Sequence, residues 1–103
     1  HREVAMTGTL KRISSGTYRA EDGSIIRLAP VDRKYECKKA PVYFLQKIVN
    51  GKAQYLSGVF KTTKPDTFSA DRKDSLGVKT FYEIRAKNNG EELEIIARPY
   101  AVK

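Results

Sequence analysis

The sequence predicts an all-β fold: a small antiparallel barrel or sandwich of about six to seven strands, with at most a short helical turn in a loop. Three observations predict it. Turn chemistry recurs at short intervals, as "SSG" at 14–16, "EDGS" at 21–24, "NG" at 50–51 and "NNG" at 88–90. Asn and Gly tolerate the positive φ that tight hairpins require. The segments between these turns alternate apolar and polar residues, and no stretch of useful length holds a helical period. Short strands at such spacing indicate a sandwich or a small barrel.

Taken in order, the expected strands are residues 4–13, 17–20, 24–28, 42–49, 52–60, 79–87 and 91–102. The run "TGTLKRISSGTYRAEDGSIIRLAP" reads as three consecutive short antiparallel strands. That pattern is common to oligonucleotide-binding folds, SH3-like barrels and many other small β domains. Next comes "APVDRKYECKKAP" at 29–41, bounded by prolines that disfavour helix in the residue before them, so it reads as a loop. Residues 42–49, "VYFLQKIV", are apolar on both faces, with Val42, Phe44 and Ile48 on one and Tyr43, Leu45 and Val49 on the other. A strand of that kind is expected to be central and covered on each side.

The stretch "KTTKPDTFSADRKDSLG" at 61–77 alternates nothing and contains a proline, so it reads as a second long loop. A helical turn over 71–76, capped by Ser69 or Asp71 and stopped at Gly77, is the most structure it is expected to hold. Residues 62–75 are therefore expected to be exposed and more mobile than the strands. The last hairpin is clearer. Tyr82, Ile84 and Ala86 share one face with Leu93, Ile95 and Ala97, opposite a face of Glu83, Arg85, Glu92, Glu94 and Arg98.

At 103 residues the chain is read as one domain, long enough to close a single small core. With 40% hydrophobic and 31% charged residues it has an ordinary soluble composition, neither disordered nor membrane-embedded. No apolar run approaches the roughly 20 residues that span a bilayer. The chain starts at His1 rather than Met, which reads as a fragment, a processed form or a tag. The one cysteine, Cys37, allows no internal disulfide and fits a reducing, cytoplasmic compartment. Between Glu36 and two lysines it reads as a small half-buried apolar side chain rather than a reactive thiol.

Chemistry is hard to assemble from these residues. His1 is the sole histidine, so neither a Ser–His–Asp nor a Cys–His arrangement can form within the fold. Glu83 and Glu94 are placed to face each other across the last hairpin, but beside Arg85 and Arg98 they read as solvated ion pairs. Asp66, Asp71 and Asp74 lack the alternate spacing and bend glycine of a calcium loop. Zinc would need more Cys or His. The sequence therefore predicts a non-catalytic protein without metal or cofactor.

What remains is charge and aromatic rings. Net charge is +8 with a pI near 9.7, the excess lying in the first three-quarters of the chain. Such a surplus concentrates polyanions near the surface. Aromatics with basic neighbours recur: Tyr18 beside Arg19, Tyr35 beside Lys34, Tyr43, Tyr55, and Phe81 near Lys79 and Arg85. Single strands bind by stacking bases on such rings while Lys and Arg track phosphates. The expected partner is single-stranded nucleic acid, bound with little sequence preference. Lys11, Arg12, Arg19, Arg27, Lys38 and Lys39 are the candidate phosphate-tracking cations, and Tyr18 and Tyr43 the candidate stacking rings. The alternative is a protein-interaction module that grips an acidic partner through its two long loops. A basic stripe with exposed rings on one sheet face favours the first, and charge confined to loop tips the second.

Overall fold

The structure, a computed structural model, describes residues 7–31, 40–73 and 76–99. Eight antiparallel strands run in sequence order: β1 (Gly8–Ser14), β2 (Thr17–Arg19), β3 (Ile25–Pro30), β4 (Tyr43–Val49), β5 (Lys52–Lys61), β6 (Thr67–Lys73), β7 (Lys79–Lys87) and β8 (Glu92–Pro99). Each pairs with the next, and β1 pairs with β8 from Gly8↔Ile95 to Lys11↔Glu92. The sheet is thus a closed up-and-down barrel, which leaves no free edge pair between its first and last strands. His1 and Cys37 lie outside the described residues.

Barrel closure decides which alternate residues are buried. Leu45, Val59 and Ile84 are the largest fully buried side chains, joined by Leu10, Ile26, Leu28, Ala70, Tyr82, Leu93 and Ile95. The face predicted for the last hairpin is the inward one, with Ile84↔Ile95, Ala86↔Leu93 and Tyr82↔Ala97 in register. Outward positions on β7 and β8 carry Glu83, Arg85, Glu94 and Arg98. A charged outer face over an apolar interior is the reverse of a lipid-facing barrel. No helix among the described residues is long and apolar enough to cross a membrane.

Two sequence expectations are corrected here. The stretch read as a second long loop contains β6, which pairs with β5 through Val59↔Ala70 and with β7 along seven positions from Thr67↔Arg85 to Lys73↔Lys79. Residues 71–73 are strand rather than the start of a helical turn, and Thr67 and Ala70 are buried. β4 is also not sandwiched between layers. Its outward Phe44 meets Tyr55 of β5 edge to face, and Val42 and Val49 are exposed. A one-layer barrel buries one face of a strand, and outer apolar residues must shelter each other.

The turns follow their sequence signals. Asn50, Asn88 and Asn89 take φ of 52°, 54° and 57°. Gly16, in the β1–β2 turn, has φ +72°, and an added Cβ would lie 3.0 Å from the Leu28 carbonyl oxygen. Gly51 has a similar φ of +78° but open space around it. Gly16→Ala is therefore expected to cost more than the roughly 1–2 kcal/mol that a left-handed conformation imposes on an L-residue, and Gly51→Ala only that much. Paired thermal melts of the two variants check the order.

Candidate functional site

The outer surface of β1–β5 is built by register. Lys11 of β1 stands opposite Arg19 of β2, and Arg19 opposite Ile25 of β3, which faces Ile48 of β4. The next row runs Thr17, Arg27, Gln46 and Tyr55 across β2 to β5. Neighbouring strands lie about 4.8 Å apart, so each row brings its side chains together. Lys11, Arg19 and Arg27 are all exposed, and none forms an ion pair with a described carboxylate. Two like charges directly opposite, as Lys11 and Arg19 are, cost sheet stability. Glu92 of β8, in register on the far side of Lys11, marks where this basic face ends.

Tyr55 reaches that surface through a bulge. Leu45 pairs with Ser57 and Gln46 with Tyr55, so Leu56 is an extra residue on β5. Strict alternation from the buried Val59 and Ser57 would turn Tyr55 into the barrel. The extra residue reverses it, and re-aiming a side chain is what such bulges do. Tyr55 is 63% exposed and meets Phe44 edge to face, with ring centroids 5.8 Å apart at 70°. Beside them the Gln46 side-chain carbonyl is buried without a partner among the described residues.

The other predicted residues go elsewhere. Tyr18 and Tyr43 face inward at one barrel mouth, not outward. Tyr18 is buried and its hydroxyl donates to the Gly90 carbonyl oxygen at 2.9 Å. Burial holds its phenol above the ordinary pKa, so it remains a donor. Tyr43 packs edge to face on Phe68, centroids 5.8 Å apart. The rings that lie on the outer face are instead Tyr55 and Phe44. Arg12 reaches the Glu91 carboxylate at 3.0 Å and is neutralised there. Lys38 and Lys39, like Lys34 and Tyr35, lie outside the described residues.

The outer face of β7–β8 is ion-paired instead. Glu83 and Glu94 are offset rather than opposed, Glu83 facing Ile96 and Glu94 facing Arg85. Glu83 accepts from Arg85 Nε at 2.6 Å and Arg98 Nε at 2.7 Å, and Lys87 lies 3.0 Å from Glu94. The Arg85 hydrogen bond, then that of Arg98, holds the Glu83 carboxyl below its ordinary value of 4.5. A lowered folded-state pKa contributes stability above pH 4.5 that is lost as pH falls through the folded value. Melting temperature is expected to drop on acidification below about that pH, and less so in Glu83→Gln. Lys79, the cation expected beside Phe81, sits 5.8 Å from that ring's centroid and 3.5 Å from Asp71. No cluster of three metal-ligating side chains occurs among the described residues.

No protein-family model matches the chain, and no curated protein or solved structure does. What the molecule does must be argued from its own surface.

Proposed function

We propose that the protein is a single-stranded nucleic-acid-binding module that works through the outer face of β1–β5, with no catalytic step. The observation that carries this reading is the outer row in which Arg27 and the bulge-exposed Tyr55 flank Gln46, with Phe44 against Tyr55 and with Arg19 and Lys11 on the strands beyond Arg27. Phosphates attract the three cations, none of which is ion-paired with a described carboxylate, while rings outside the barrel offer stacking surfaces to unpaired bases. Duplex bases are already stacked on each other and gain nothing from such rings. Phosphate contacts and ring stacking do not distinguish one base from another, so little sequence preference is expected.

The protein-partner alternative drew on two long loops, and one of them contains β6. Among the described residues, Lys11, Arg19 and Arg27 lie on strands rather than at loop tips, which supports the nucleic-acid reading. Fluorescence anisotropy with labelled poly-dT, poly-U and a duplex, at low and moderate salt, tests it. Both single strands are expected to bind more tightly than the duplex, with affinity falling by a log–log slope of about −0.7 per phosphate neutralised. Absence of binding to all three at low salt would overturn the proposal, and the same surface would then fit an acidic protein.

A further inference from the structure

The closed barrel is open at the end where the β1–β2, β5–β6 and β7–β8 turns gather. A recess of about 990 Å³ lies there. Its floor is Tyr18, Leu28 and Leu93, all buried, and its wall is the Tyr43–Phe68 pair, both half-buried. Ala86 is the small inward residue that leaves the space, facing Leu93 in register. Asp66, Asn88 and Asn89 form a polar rim, and Arg27 sits at its edge.

We propose that this mouth is a second binding site, meeting the outer face only at Arg27, for one small uncharged molecule with a planar ring body and a polar head. Eight-stranded barrels are just wide enough to be filled by side chains or to hold one small ligand. Here the middle is filled by Leu45, Val59 and Ile84, and the described residues of the mouth leave a recess. The volume is at the upper end of small-molecule pockets, which combine apolar walls with a few placed polar groups. Edge-to-face rings make a wall suited to a flat apolar body. The Tyr18 hydroxyl is already engaged by Gly90, so the floor presents an apolar surface. The rim amides supply donors and acceptors for a head group. Asp66 and Arg27 are the one carboxylate and the one cation among the described lining residues, so the described lining carries no net charge and favours a neutral occupant.

The uncharged fluorophore N-phenyl-1-naphthylamine tests this directly. Titration of the whole chain is expected to give a saturable rise in emission with one probe per protein. Ala86→Phe, which fills the recess, is expected to weaken binding at least about tenfold, whereas Tyr55→Ala on the outer face leaves it unchanged. Methyl NMR of the unmodified protein supplies a readout that does not depend on any variant folding. On probe addition the Leu28 and Leu93 methyls are expected to shift and those of Ile25 and Ile48 to stay. No saturable binding, or shifts confined to the outer face, would overturn the proposal. Neither result bears on oligonucleotide binding by β1–β5, so the two sites stand or fall separately.

Discussion

Ile84→Ala is expected to remove about 2–5 kcal/mol of folding stability, the range seen when a large aliphatic side chain is cut from a packed core. Ile84 is 1% exposed at the centre of β7, with Ile95 opposite on β8 and Phe68 opposite on β6. It therefore helps seal β6 and β8 onto the strand between them. The neighbours are held by a closed ring of backbone hydrogen bonds, so they cannot collapse into the space left behind. For a domain this small each kcal/mol moves Tm by about 4–8 °C, so a loss of roughly 10–40 °C follows. Urea unfolding should show a lower midpoint at an unchanged m-value. The comparison is Phe44→Ala. Phe44 looks equally apolar in the sequence but faces outward and packs on Tyr55, so its removal leaves an outer groove rather than a cavity. A loss below about 1 kcal/mol for Ile84→Ala would mean that the barrel interior is not packed as described.

The contrast between Ile84 and Phe44 also shows how far the sequence can be read. The β7–β8 hairpin was legible because its inward positions are large and apolar and its outward positions are charged, so period-two alternation stands out. β6 was not. Its inward positions are Phe68, Ala70 and Arg72 and its outward ones Ser69, Asp71 and Lys73, and Ala and Arg give no hydrophobic contrast. Register with two flanking strands makes it a strand, and that information lies in residues distant in sequence. Which rings face inward and which outward was not legible, for reasons that differ from strand to strand. In β4 both parities are apolar, so nothing local distinguishes Tyr43 from Phe44. In β5 the parity changes at Leu56, and an inserted residue leaves no trace in the pattern. Tyr18 was misassigned because Arg19 beside it suggested exposure, whereas adjacent strand residues point to opposite faces. The cations Lys11, Arg19 and Arg27 were singled out by composition, and only the register brings them to one face.

Removing those three cations together is expected to change oligonucleotide binding most. In the triple variant Lys11→Ala, Arg19→Ala, Arg27→Ala, the salt dependence of single-strand binding should flatten by about 0.7 per cation, or about two units in all. The variant should fold normally, because all three side chains are exposed and the opposed Lys11 and Arg19 repel each other. Tyr55→Ala should act differently. Losing one stacking ring costs about 1–3 kcal/mol of binding, roughly five- to 150-fold, and leaves the salt slope unchanged because no counterion release is lost with it. The two effects are therefore separable in one set of titrations. Tyr43→Ala provides the geometric control. Its ring lies in the mouth against Phe68, so its loss should lower stability while oligonucleotide affinity per folded molecule holds. A triple variant with the salt slope of the unmodified protein would exclude β1–β3 from the phosphate contacts. Other cations of the chain would then have to supply them.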